Sequence, residues 1–104
     1  MTIDYIAHGV QPLCYDGAEM KVDAHVHIFP QTVSTARGSY LRRDLTFRSL
    51  YSNPRSDLCS VEDLLVGMDE AAIDHAILAN IGWVSHDLCQ ETNDYLIASA
   101  GHYP

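Results

Sequence analysis

The 104-residue sequence has few cysteines and no apolar run long enough to cross a membrane. Its three cysteines, Cys14, Cys59 and Cys89, are widely spaced and form no C-x-x-C pair, which argues against a disulfide framework or a zinc knuckle. Free thiols in a reducing cytoplasm are the simplest interpretation. Residues 1–10 also lack the basic start and apolar core of a signal peptide. We therefore expect a cytoplasmic protein without a membrane partner.

Lysine is nearly absent, and the net charge of the chain is −8. A chain this acidic is not expected to bind nucleic acid. All five arginines fall within residues 30–59, a segment with a net charge of +3, whereas the rest of the chain carries −11. With 47% hydrophobic and 19% charged residues, the composition is that of a globular chain of at most one domain. The basic segment favours a small acidic molecule as the partner.

The segment 22–30, VDAHVHIFP, is the first clear strand signal. Side chains alternate between the two faces of a strand, so Asp23, His25 and His27 are expected to share one face. Pro30 has no amide hydrogen for a sheet and is expected to follow the end of the strand. The opposite face suits packing against helices, because it carries only the apolar side chains of Val22, Ala24, Val26 and Ile28.

Two imidazoles spaced two residues apart on one strand face can reach the same metal ion. His25 and His27 are therefore candidate metal ligands. Asp23 lies one step earlier on the same expected face and is a candidate for orienting a ligand rather than for binding the metal itself. The alternative is a pair of buried histidines satisfied by ordinary hydrogen bonds.

Two stretches of the chain show no sustained periodicity. Residues 1–20 are expected to form an irregular arm with room for one short strand. Residues 30–59 are expected to form a long loop with a helical turn around residues 40–50, because Ser, Arg, Gly38 and an Asn-Pro pair interrupt every pattern. Loops of this length in compact domains are usually functional or mobile.

Two helices and a second strand are predicted after this loop. Ser60 is expected to cap a helix that ends near residues 71–72, with Asp63 as its capping-box partner. Residues 76–79 form a short apolar run typical of a buried strand. Ser85 or Asp87 is expected to cap the second helix, which Gly101 would end.

The order strand, loop, helix, strand, loop, helix predicts an α/β fold with a parallel sheet. Ligands of such folds gather at the carboxyl ends of the strands. His25 and His27, the arginine-bearing segment and the loop of Trp83 all leave from that edge, so we expect them to lie close together.

The stretches VDAHVHIFP, SVEDLLVGMDEAAIDHAILANIGW and LCQETNDYLIASAGHYP resemble the amidohydrolase-related family, in the branch of the aminocarboxymuconate-semialdehyde decarboxylase-like enzymes. The resemblance covers roughly residues 21–104. It implies a metal-dependent (β/α)₈ TIM barrel in which His25 and His27 match the family's first two metal ligands, usually of zinc. It also implies a small-molecule substrate and one of two reactions, metal-assisted hydrolysis or decarboxylation.

The chain departs from this family in two respects. Ala72 stands where the family has glycine, which would cost about 1 kcal/mol if the helix ends in a left-handed residue. A complete barrel needs on the order of 250 residues, so residues 21–104 are expected to be its N-terminal portion, lacking the later ligands and the catalytic residues. The alternatives are an inactive truncated relic or a module that completes itself as a homo-oligomer.

Four further side chains are candidates for the substrate site. Arg42, Arg43 and Arg48 are each able to pair with a substrate carboxylate, and Trp83 is placed to line the mouth of a pocket. The alternatives are ion pairs with the acidic surface for the arginines, and packing against the rim of the fold for the tryptophan.

Overall fold

The computed structural model describes residues 2–4 and 19–104. None of the helices in this part of the chain is long and apolar enough to cross a membrane. The described residues form three strands and five helices: β1 (Thr2–Asp4), β2 (Val22–Val26), α1 (Gln31–Thr35), α2 (Arg37–Arg43), α3 (Leu45–Tyr51), α4 (Val61–Ala71), β3 (His75–Leu78) and α5 (His86–His102).

The three strands form one parallel sheet in the order β1-β3-β2. Helices α1 to α4 form the connection from β2 to β3, and a parallel pair of strands requires such a crossover. The predicted α/β class with a parallel sheet is therefore confirmed. Strand β1 falls within the arm predicted for residues 1–20, of which residues 1 and 5–18 lie outside the described part of the chain.

Strand β2 differs from the regular buried strand that its sequence predicts. Asp23 pairs with Ala76 and Val26 with Leu78, so three residues of β2 span two residues of β3. This irregularity brings Asp23 and Val26 to the same side of the sheet, and the strict alternation predicted for the motif is wrong. The strand is also largely exposed, with Val22 at 43%.

Residues 30–59 are not the long loop that their sequence suggests, since α1, α2 and α3 occupy most of the segment. Helices of five to seven residues are too short to show a sustained period, which is why the prediction failed. Asp44 separates α2 from α3 and caps α3 by accepting a hydrogen bond from the backbone N–H of Phe47 at 3.1 Å. The predicted helical turn is thus two helices with a buried carboxylate between them.

The buried side chains form two clusters. The first lies beyond the carboxyl ends of β2 and β3, where residues that follow each strand pack against the short helices and α5; its members are Phe29, Val33, Tyr40, Phe47, Ile81, Trp83 and Leu88. The second packs the sheet against α4 and α5 and contains Ile28, Val61, Leu78 and Leu96. The segments that leave β2 and β3 therefore do converge, as the parallel arrangement predicts.

The caps of α4 and α5 largely follow the sequence signals. Ser60 caps α4 in a complete capping box with Asp63, as predicted. Ser85, rather than Asp87, caps α5 by accepting a hydrogen bond from the backbone N–H of Leu88. The prediction that Gly101 ends α5 is wrong, because the helix continues to His102.

Helix α4 ends in a left-handed residue, as the comparison with the family's glycine suggested. Ala72 has φ 56° and ψ 40°, and it is the one non-glycine residue with positive φ in the described part of the chain. The N–H of Ile73 donates to the carbonyl of Met68 at 2.9 Å, and that of Ala72 donates to the carbonyl of Asp69 at 3.3 Å. This pair of hydrogen bonds is a Schellman motif, in which glycine is the preferred residue.

We expect Ala72→Gly to raise the free energy of unfolding by about 0.5–1 kcal/mol, because relief of the left-handed strain exceeds the added flexibility of the unfolded chain. Ala71→Gly is the matched control, since Ala71 is the last helical residue and is expected to lose about 0.5–1 kcal/mol on the same exchange. Urea unfolding followed by far-ultraviolet circular dichroism measures both. Equal destabilisation by the two variants would contradict a left-handed Ala72.

Candidate metal centre

His25 and His27 present the same ring nitrogen to each other. Their Nε2 atoms lie 3.1 Å apart, and their rings are nearly perpendicular at 87°. The ring of His25 is exposed and that of His27 is half-buried at the carboxyl end of β2. Their Nε2 atoms therefore converge on a site that solvent and a ligand can reach.

A backbone carbonyl from the neighbouring strand segment sets the tautomer of His27. Its Nδ1 lies 2.8 Å from the carbonyl oxygen of Ala79, the residue that follows β3. A carbonyl only accepts, so Nδ1 carries the proton and Nε2 of the neutral ring has a free electron pair. In the metal-free protein, the N–H at Nε2 of His25 donates to that pair.

The distance between the two Nε2 atoms fits a shared metal ion. A metal about 2.05 Å from both nitrogens would make an N–metal–N angle of about 98°, between octahedral and tetrahedral values. The Nδ1–H···O=C contact of His27 is also the arrangement by which proteins orient metal-binding histidines. One metal ion could thus replace the hydrogen bond between the two rings, once the proton on Nε2 of His25 has left that atom.

Asp23 does not approach the rings in the way that its predicted position implied. Its Oδ1 accepts a hydrogen bond from the backbone N–H of His25 at 3.2 Å. The irregular register of β2 places it on the side of the sheet that carries Ala76. The contact fixes the backbone at His25, so any effect of Asp23 on a metal would pass through that backbone.

A groove of about 320 Å³ lies between β2 and α4, and His27 forms part of its wall. Asp23 and Asp63 contribute carboxylates, and most of the remaining wall is apolar: Val26, Ile28, Leu64, Met68, Ala71 and Ile73. Since no arginine or lysine among the described residues lines it, the groove suits an uncharged or cationic group better than a carboxylate.

The three candidate arginines lie near one another on α2 and α3, and none of them lines the groove beside His27. Arg48 donates to the carbonyls of Leu41 and Arg42 at the end of α2, at 2.9 and 3.2 Å. The guanidinium of Arg43 lies over the ring of Tyr40, 5.1 Å from its centre. The side chain of Arg42 is exposed. Arg42 and Arg43 therefore remain at the surface, whereas Arg48 caps a helix.

Trp83 lies in the core rather than at an open pocket mouth. It is 8% exposed, and its ring stacks on Phe47 with centres 5.2 Å apart. Its Nε1–H donates to the side-chain oxygen of Asn80 at 2.9 Å. These contacts correspond to the packing alternative considered for this residue.

Sequence reasoning missed the part of the site that β3 contributes. The carbonyl of Ala79 orients His27, and the side chain of Asn80 contacts the segment that follows. A polar residue just after an apolar strand, at the edge where ligands gather, was the available signal.

Among the described residues, no group of three or more histidine, cysteine, aspartate or glutamate side chains is placed to hold a metal ion. Comparisons with protein-family models, with curated proteins and with solved structures gave no match for this chain. The relationship suggested by the D-x-H-x-H motif therefore stays a prediction, and the two-histidine geometry carries the functional proposal.

Proposed function

We propose that this parallel α/β unit is the N-terminal part of a metal-dependent (β/α)₈ barrel hydrolase of the amidohydrolase type, with His25 and His27 as metal ligands. The observation that carries the proposal is the convergence of their Nε2 atoms to 3.1 Å, with the proton of His27 directed to a backbone carbonyl. Zinc is the expected metal, because neutral imidazole is among its usual ligands.

A bound divalent metal would polarise a substrate carbonyl and activate water as the nucleophile. In this chain His25 and His27 would hold the metal, and His27 also lines the groove between β2 and α4. Catalytic zinc sites usually have three protein ligands, so the complete site needs a donor beyond the two histidines.

The proposal predicts that the chain binds Zn²⁺ through both histidines. We expect His25→Ala and His27→Ala each to weaken the binding of Zn²⁺ by more than about 100-fold, since even loss of a residue that only orients a ligand costs about 10–100-fold. Competition with a chromophoric chelator measures the affinity of the full chain, and isothermal titration calorimetry gives the stoichiometry.

His86→Ala is the matched control, because His86 is an exposed histidine at the start of α5. We expect it to leave Zn²⁺ affinity within about threefold of the wild-type value. Circular dichroism of each variant shows whether the fold is retained. Equal affinities of the wild type, His27→Ala and His86→Ala would contradict the proposal, and so would a wild-type chain that does not respond to Zn²⁺.

A further inference from the structure

Asn80 uses both ends of its side-chain amide to fix the turn that follows β3. Its Oδ1 accepts hydrogen bonds from the backbone N–H of Ile81 and from Nε1–H of Trp83, both at 2.9 Å. Its Nδ2 donates to Thr92 Oγ1 and to Asn93 Oδ1, both at 2.8 Å. Two donors and two acceptor positions are thus occupied, which is the full capacity of the group.

The partners determine the orientation of this amide. An indole N–H and a backbone N–H only donate, so the atom facing Ile81 and Trp83 must be oxygen. On the other side, Thr92 is fully buried and gives its own hydroxyl proton to the carbonyl of Leu88 at 2.8 Å. The side chain therefore connects the turn to α5 in a single orientation.

Asn80 is bonded covalently to Ala79, whose carbonyl accepts the proton of His27 Nδ1. The N–H of Ala79 in turn donates to the carbonyl of Val26 at 2.8 Å, one residue before His27. The direction of the Ala79 carbonyl depends on the backbone between β3 and Ile81. The side chain of Asn80 fixes this backbone by accepting a hydrogen bond from the N–H of Ile81. A displaced carbonyl would leave the Nδ1 proton of His27 without its partner.

We infer that Asn80 is a positioning residue for the metal centre: by fixing the Ala79–Ile81 turn, it keeps His27 in the Nδ1–H tautomer with Nε2 free for a metal ion. This inference rests on the proposed function for its consequence, metal affinity. Its structural part, the tautomer of His27, is independent of any metal.

The test measures the tautomer and the affinity separately. Long-range ¹H–¹⁵N spectra of the histidine rings report which nitrogen of His27 carries the proton in the metal-free full-length chain. We expect Asn80→Leu, which is similar in size and lacks the hydrogen bonds of the amide, to move His27 toward a mixture of tautomers. We also expect it to weaken Zn²⁺ binding by about 10–100-fold.

Two further variants separate positioning from general stability. Asn80→Asp keeps the oxygen that faces Ile81 and Trp83 but loses the donor that faces Thr92 and Asn93, so it is expected to shift the tautomer less than Asn80→Leu does. Tyr95→Phe removes the hydrogen bond between the Tyr95 hydroxyl and the N–H of Val61 in another part of the fold. It is expected to lower stability without changing the spectrum of His27.

Retention of the Nδ1–H tautomer and of Zn²⁺ affinity within about threefold in a folded Asn80→Leu protein would overturn the inference. An equal tautomer shift in Tyr95→Phe would overturn it as well. If Asn80→Leu does not fold, Trp83→Phe removes one hydrogen bond to Asn80 and keeps the stacked ring; a smaller shift in the same direction supports the inference, and no shift overturns it. Absence of Zn²⁺ binding by the wild type would refute the proposed function, while the metal-free spectra would still decide the role of Asn80.

Discussion

Asp44→Ala is expected to lower the free energy of unfolding by about 3 kcal/mol, because the carboxylate accepts charge-assisted hydrogen bonds at the starts of two helices. Asp44 is 2% exposed, its Oδ1 accepts from the N–H of Phe47, and its Oδ2 accepts from the N–H of Ser85 at 2.8 Å. Alanine would leave both N–H groups unsatisfied. Urea unfolding followed by the fluorescence of Trp83, the single tryptophan, measures the change.

Ser60→Ala provides the comparison, because the Ser60 side chain forms its hydrogen bonds with Asp63 of the helix that it caps. A cap of this kind is worth about 1 kcal/mol. A loss at Asp44 no larger than that at Ser60 would show that the contact with Ser85 contributes nothing, and would contradict the buried bridge between the short helices and α5.

The pH dependence of stability gives a second check on Asp44. Burial by itself raises the pKa of this carboxyl, but hydrogen bonds from backbone N–H groups, those of Ser85 and Phe47 first, outweigh burial and lower the pKa below its usual range. The folded state therefore binds this proton more weakly than the unfolded state does. The resulting stabilisation is present above the ordinary aspartate pKa of about 3.9 and is lost as the pH falls through the lowered value. The stability difference between the wild type and Asp44→Asn should shrink in that acidic range.

Local signals predicted the starts of α4 and α5 well, because each N-cap residue forms its hydrogen bond within three residues. The capping box of Ser60 and Asp63 needs no distant partner to be recognised. Asp44 was not recognised because its role depends on Ser85, which lies 41 positions later in the chain. Without that contact, Asp44 is one more acidic residue within a basic segment.

The sequence likewise predicted only part of the candidate site. The spacing of His25 and His27 predicted that both rings would reach one point, and their Nε2 atoms do converge. The irregular register of β2, in which three residues of this strand span two residues of β3, arises from pairing with β3 and has no signal in the motif itself. The carbonyl of Ala79 is 52 positions from His27, so only the parallel pairing of the strands brings them together.

The aromatic cluster beside the candidate metal centre leads to the second large prediction. Phe47→Ala is expected to cost about 4 kcal/mol, the usual range for emptying a buried phenylalanine site. Phe47 is fully buried and stacks on both Trp83 and Tyr51, at 5.2 and 5.1 Å between ring centres. The edge of a third ring, Phe29, lies against it, two residues beyond His27. Urea unfolding followed by far-ultraviolet circular dichroism measures the loss without relying on the altered surroundings of Trp83.

Two controls show whether this loss comes from packing in a folded segment. Leu50→Ala removes a side chain of the same helix that is 54% exposed, and it is expected to cost less than about 1 kcal/mol. Phe47→Leu keeps part of the volume and should fall between the two. If residues 30–59 were the loop that their sequence suggests, Phe47→Ala and Leu50→Ala would have similar small effects. A large difference between them would instead place Phe47 in the core that packs Phe29, and through it the end of β2, beside the candidate metal centre.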